Sequence, residues 1–262
     1  IIEDETPGII DSKNMYLGDM PISKLYLGNN SISELYLGNT LIYGISKGVV
    51  TDGLRYYLDG RDFISDSNKW IPKIGTELVT FSPSNPSKLG NCVKLTTTSS
   101  GISDFAPFYK ETDTFTVEYY IKDVGAFSAY AILVGVGSNY NYNYFGIYTE
   151  FSTTTNASRT CVRSGDADGD VDYDEHYLTY SSSLHVQATC NAGAFYLYVD
   201  GELVQSISNF SILDKTAYLR LGSWEDIWSD PCSPTIGCFR YYDRALTKNE
   251  LDKNREFDLS IY

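Results

Sequence analysis

From about residue 50 onward the chain is cut into short runs of β-branched and aromatic residues separated by turn signals, and this rhythm limits its fold more than any other feature. "LRYYLDG", "CVKLTTT", "FTVEYYIKD", "AYAILVGVG", "YFGIYTE", "HVQATCN", "AFYLYVDGELVQSI", "AYLRLGS" and "TIGCFRYYD" each read as one or more strands. Such spacing points to an all-β sandwich or jelly roll. Within "YLYVDGELVQS", Asp200-Gly201 supplies a two-residue hairpin turn. The 23 tyrosines and only two methionines agree, because flat and β-branched side chains suit a pleated surface. One short helix stands near the end. Thr247 opens "TKNE", a capping box closed by Glu250, and the helix continues through "TKNELDKNREFD".

The first part of the chain has a different pattern. Tyr16-Leu17-Gly18-Asp19 returns as Tyr26-Leu27-Gly28-Asn29 and again as Tyr36-Leu37-Gly38-Asn39, with Ile22, Ile32 and Ile42 in step, a period of ten residues. In "SISELYLG", Ile32, Glu34 and Tyr36 share one strand face and Ser33, Leu35 and Leu37 the other. Gly-Asn and Gly-Asp are hairpin-turn chemistry. The block reads as a β-meander of about three strands, with a solenoid as the competing reading. Strands this short bury little surface alone, so the block needs a partner. Two units follow: residues 1–45, for attachment or oligomerisation, and residues 46–262, the larger β domain.

A net charge of −14 repels phosphate backbones and anionic bilayers, so nucleic acid is not an expected partner. No apolar run approaches the roughly 20 residues that span a bilayer, so membrane insertion is not expected either. "IIEDETPGII" lacks a basic start and an apolar core, and the chain opens on Ile, so it reads as processed or truncated. Cys92, Cys161, Cys190, Cys232 and Cys238 form no dense disulfide framework and are expected to be reduced, mostly buried thiols, with a small loop closed by Cys232 and Cys238 as the alternative. Two histidines are too few for a typical zinc site.

"DGLRYYLDGRDF", "FTVEYYIK", "HVQATCNAGAFYLYVDGELV" and "IGCFRYYDRALTKNELDKN" together resemble the concanavalin A-like, laminin-G-like superfamily over roughly residues 50 to 257. That resemblance implies two antiparallel sheets packed face to face as a jelly roll. Members bind glycans, proteins or calcium, and some are enzymes. "ISKLYLGNNSISELYLGNTLIYG" resembles segments of structural proteins of tailed bacteriophages, in tail fibre, baseplate or head decoration. By this resemblance the chain is a virion protein at the particle surface, homotrimeric as phage fibres are. It would touch other virion proteins through the repeats and display a lectin-like domain toward a cell-surface glycan. A purely structural decoration protein is the alternative; a glycan hydrolase and a secreted adhesin stand behind it.

Three stretches carry candidate ligand chemistry. In "SGDADGDVDYDE", a calcium loop counted from Ser164 puts Asp166, Asp168, Asp172 and Glu175 at oxygen-ligand positions, with Asp170 between them and Gly169 at the sharp turn. Ser164 departs from the usual first aspartate, and the flanks read as strands, so a solvated acidic loop is the other reading. No cofactor is required, and Ca2+ is the metal this spacing would suit. In "NYNYNYF", Tyr140, Tyr142 and Tyr144 share one face, for a sugar to stack on or for sheet and subunit contact. In "GSWEDIWSDPC", Trp224 and Trp228 suit either ligand anchoring or packing over the end of the sandwich. No strand carries an "ExDxxE" acidic pattern, no nucleophile elbow or phosphate loop is present, and His176 and His185 read as structural. The chain is therefore expected not to be an enzyme.

Overall fold

A computed structural model of the chain describes residues 48–96, 99–103, 114–125, 131–137, 146–152, 157–165, 171–178, 183–208, 210, 218–222 and 232–262, together with short strands between 16 and 44. The chain divides into two units, Ile1–Val49 and Val50–Tyr262. In the first, β1 (Tyr16–Leu17) pairs with β2 (Met20–Pro21), β3 (Leu25–Leu27) with β4 (Asn30–Ile32), and β5 (Glu34–Leu37) with β6 (Thr40–Gly44), all antiparallel. The expected three-strand meander is thus corrected to three local hairpins. Leu17 pairs with Met20, Leu27 with Asn30 and Leu37 with Thr40, so two residues separate the paired ends each time. A ten-residue repeat with one such turn holds an outgoing and a returning strand. Among the described residues no ladder joins one hairpin to the next.

The second unit holds β7 (Leu54–Asp59), a 3-10 turn (Gly60–Asp62), β8 (Lys69–Trp70), β9 (Val79–Pro83), β10 (Ser87–Leu89), β11 (Cys92–Lys94), β12 (Ser99–Ser103), β13 (Phe115–Asp123) and β14 (Ala131–Gly137). It continues with β15 (Gly146–Ser152), β16 (Ala157–Gly165), β17 (Val171–Leu178), β18 (Leu184–Asn191), β19 (Ala194–Val199), β20 (Glu202–Ile207), β21 (Tyr218–Leu221), β22 (Thr235–Tyr242) and the helix α1 (Lys248–Ile261). One sheet runs β10-β11-β22-β13-β18-β19-β20, with β7 also on β22. The other runs β17-β16-β15-β14-β21-β12-β9-β8. One continuous core takes Trp70, Val79, Phe81, Val134, Leu219 and Leu221 from the second sheet and the inward residues of the first. The expected two-sheet sandwich with one short C-terminal helix is what the chain forms. Its turn chemistry also agrees: Asp200 and Gly201 both take positive φ, at 51° and 89°.

Period-two alternation sends Phe115, Val117, Tyr119 and Ile121 of β13 into the core, with Leu184, Val186, Ala188 and Cys190 of β18 and Ile236, Phe239 and Tyr241 of β22. The alternate residues leave the core yet stay buried, since Thr116, Glu118, His185, Gln187, Cys238, Arg240 and Tyr242 are all buried on the opposite face. The cover is α1. Its capping box at Thr247 forms as expected, and its buried residues are Leu251, Asn254 and Asp258, spaced three and four apart. Cys92, Cys190, Cys232 and Cys238 are buried, and burial pushes the Cys232 thiol up to about 12. Cys161 lies where only the backbone is described.

β22 carries a bulge. Tyr120 pairs with Cys238 but Ile121 with Ile236, so Gly237 is the extra residue. A Cβ there would lie 2.7 Å from Tyr120 Cδ1 and 2.8 Å from Tyr262 Cγ. Gly237→Ala is therefore expected to lower stability by about 1–3 kcal/mol, read as a lower urea midpoint at unchanged slope.

Candidate functional site

The register of the second sheet fixes where the ligand candidates leave the sandwich. Gly137 pairs with Gly146, Gly146 with Arg163, and Arg163 with Tyr173, giving one row across β14, β15, β16 and β17. Gly137 and Gly146, and Gly165 and Val171, are therefore strand ends on this side of the sheet. β21 pairs Tyr218 with Gly137 and Leu221 with Val134, so it ends toward the opposite side. The strand ends that flank Tyr140, Tyr142 and Tyr144 in the sequence and those that flank Asp166, Asp168 and Asp170 thus share one side of the sheet, and the end of β21, which precedes Trp224 and Trp228, lies toward the other. These eight residues themselves lie outside the described residues.

Asp172 and Glu175 are described in backbone only. They belong to β17, where Asp172 pairs with Ser164 and Glu175 with Cys161. The acidic connection between the strands is five residues rather than twelve, because "VDYD" continues the alternating ladder. Strand alternation places Asp172 and Asp174 on one face and Glu175 on the other. Among the described residues, no group of three or more His, Cys, Asp and Glu side chains is placed to hold a metal ion.

The best-defined polar constellation is one that sequence reasoning missed, beneath α1. Arg240 of β22 reaches Asp258 of the helix with both terminal nitrogens, Nη1 at 3.0 Å and Nη2 closer still. Nε2 of His185 lies 2.8 Å from Asp258 Oδ2. Glu118 on β13 accepts from Gln187 Nε2 at 2.6 Å, Asn254 Nδ2 at 2.7 Å and Arg240 Nη1 at 3.3 Å. Gln187 Nε2 also donates to the Leu251 carbonyl at 2.7 Å, and Asn254 Nδ2 to the Tyr242 hydroxyl at 2.9 Å. Arg240, Glu118, His185 and Asp258 are all fully buried. Burial alone would raise the Asp258 carboxyl, but Arg240 and His185 outweigh it and hold that group below the usual carboxylate range. For Glu118 burial wins over the attraction of Arg240, and the group moves up.

A second node lies beside the first. Asp59 of β7, also fully buried, accepts from Tyr57 Oη at 3.0 Å, Tyr262 Oη at 2.9 Å, and both the backbone N and Nε of Arg61 at 3.0 and 2.9 Å. Burial would raise its pKa, yet the bonds from Arg61 and Tyr262 prevail and lower it. The signal for the first node was in the sequence, as polar residues two apart in "FTVEYY", "HVQAT" and "CFRYY" and the 251, 254, 258 stripe of the helix. With Asp258 ionised, Asp258→Asn removes one partner of a buried ion pair. It is expected to cost about 3–5 kcal/mol in denaturant unfolding and to strip hydrogen-exchange protection from residues 248–261 first.

Three solved structures illustrate the likeness of the fold. A Trypanosoma rangeli sialidase in complex with sialic acid matches at 15% identity and a TM-score of 0.58, over 81% of this chain and 34% of that one. The binding domain of Paraclostridial Mosquitocidal Protein 1 matches at 17% identity and 0.53, over 78% and 52%. The binding domain of botulinum neurotoxin serotype G matches at 12% and 0.55, over 78% and 50%. The chain therefore spans about a third to a half of the chains it matches. Comparison with curated proteins gave no match. The sialidase likeness corrects the expectation of a non-enzyme: chains with catalytic names contain this fold, and an absent motif does not decide the matter. At such low identity the likeness carries the fold and no catalytic residue, so catalytic status is open. The family model of the concanavalin A-like lectin/glucanases superfamily matches residues 95–252, more than half of the sequence, and the chain belongs to that superfamily.

Proposed function

We propose that this chain is a structural protein of a tailed-phage particle whose jelly roll adheres to a glycan on a cell surface. The observation that carries the reading is the coupling of a lectin-superfamily sandwich to a separate unit of three tandem YLG hairpins. The hairpins attach the chain to other virion proteins or to its own copies, as a trimer, and the sandwich faces outward. Sugar sites of this type are shallow and weak singly, so display in several copies supplies avidity. The tyrosine segment 138–145 and the tryptophan segment 223–231 are the aromatic surfaces assigned to the sugar, and the carboxylates of 166–175 are assigned to Ca2+.

The test is a glycan array probed with the full chain, with and without chelator, alongside an assay for sugar release. Binding to a defined glycan class is expected. Substituting alanine at Tyr142 or Trp224 should weaken it about tenfold or more in the segment that contacts sugar, a loss of about 1.4 kcal/mol. No glycan binding alongside tight binding to purified particles would replace adhesion by a purely structural role. Sugar release would establish catalysis.

A further inference from the structure

The helix covers only part of the first sheet. The Leu251 carbonyl accepts from Gln187, so the cover reaches as far as β18. Beyond it lie β19 and the edge strand β20. Tyr196 pairs with Thr189 and Ser206, and Tyr198 with Gln187 and Leu203, so both tyrosines and Leu203 share the face that carries the helix. Tyr196 is 39% exposed and Leu203 52%. The residues that alternate with the tyrosines enter the core instead.

One flank of α1 walls this strip. Lys248, Asp252 and Arg255 recur at spacings of four and three along the helix. Lys248 pairs with Asp252 and holds its Nζ 5.6 Å from the centre of the Tyr198 ring. Burial raises the Tyr198 phenol above its ordinary value, Lys248 opposes the rise, and Tyr196 and Asp252 add to it, so all three stand within reach of Tyr198. Two turns along, Arg255 lies over the β19–β20 turn, where a Cβ on Gly201 would meet its Nε at 3.3 Å. Lys248 has a counter-charge and Arg255 has none. Among the described residues Arg255 makes no ion pair, and its Nε is buried without a hydrogen-bond partner. Glu202 is close in sequence to Gly201, but it pairs with the core-facing Val199 and so belongs to the other face. On a chain with 34 acidic and 20 basic residues, counter-charges are plentiful, so a guanidinium left without one points to a partner from outside.

We propose that this strip is a binding groove for an acidic saccharide, with Tyr196 and Tyr198 as the platform for the sugar rings and Arg255 as the receptor for a carboxylate. The inference rests on the adhesion reading above, but it assigns the contact to residues other than the tyrosine and tryptophan segments named there. Tyrosines two apart on one strand stand about 7 Å apart, close enough to serve consecutive rings of one chain. A phenol presents an apolar face and a polar tip, which match the CH face and hydroxyl rim of a pyranose. The terminal nitrogens of a guanidinium suit a carboxylate, which supplies the counter-charge that the fold leaves out. Lys248 is already neutralised by Asp252, so the acid is read at the Gly201 end of the groove. An acidic peptide would meet the same cation, but two phenol rings side by side favour a chain of rings.

The test uses the full chain on an array of oligogalacturonate, heparosan oligosaccharide and sialyllactose, each beside its carboxyl-reduced neutral form, with polyglutamate as an acidic peptide. At least one acidic glycan should bind about tenfold or more tighter than its reduced form, and the preference should shrink as salt rises from about 0.05 to about 0.5 M. Arg255→Gln should remove the preference and Arg255→Lys should restore part of it. Tyr196→Ala, at an exposed position, should weaken both forms several-fold. If Arg255→Gln fails to fold, the native chain still decides, because the bound acidic glycan should protect residues 194–207 and 248–255 from hydrogen exchange. Binding that survives Arg255→Gln and Tyr196→Ala but is lost in Tyr142→Ala or Trp224→Ala would overturn the groove and leave adhesion standing. Equal binding of acidic and reduced forms, protection confined to other segments, or a preference for polyglutamate that Arg255→Gln removes would overturn the saccharide assignment alone. Binding of no glycan would overturn both readings.

Discussion

The buried pair of Arg240 and Asp258 is the interaction on which the larger unit hangs. It joins the central strand β22 to the helix, and the helix closes the outer face of three neighbouring strands. The same closure ties the two ends of the unit together. The Val50 amide donates to Asn254 at 2.7 Å, and the Tyr262 hydroxyl to Asp59 at 2.9 Å, more than 200 residues apart in each case. Contacts of such sequence separation form late, because loop closure must come first.

The chemistry of that interface differs from the interior. The sandwich core is a mass of aromatic and aliphatic side chains, insensitive to small changes of direction. The helix interface offers Leu251 alone as a fully buried apolar residue, beside Asn254 and Asp258. Hydrogen bonds and charges are directional, so they fix the rotation and register of α1 far more sharply than apolar burial would. Buried charges stabilise little in net terms when apolar replacements of equal volume are the comparison. What they contribute here is one allowed seat for the helix, and a strong penalty for any half-made version of it.

Much of this architecture was legible because it is local. "VDGE" announces its own hairpin, "TKNE" its own cap, and alternation in "FTVEYYIK" sorts core from non-core residues. Alternation does not say what lies over the second face. Glu118 is a plain surface residue until Asn254, 136 positions away, is laid on it. The repeats show the same limit: period and turn chemistry identify strands, but whether a strand pairs backward or forward is set by geometry that alternation does not contain. The turn at Ala192-Gly193 was also hidden, because alanine at φ 48° is not a residue one assigns to that conformation. Of the ligand candidates read from the sequence, the side chains that would meet a sugar lie outside the described residues.

The first unit has a different logic from the second. In the sandwich, a strand removed from the middle unpairs two neighbours. In the repeat block each ladder is closed within its own copy, so gain or loss of a copy changes the hairpin number by one and leaves every other pairing whole. Recombination between copies of the repeat would therefore change this block in whole hairpins, a route by which related chains can vary it without refolding the sandwich.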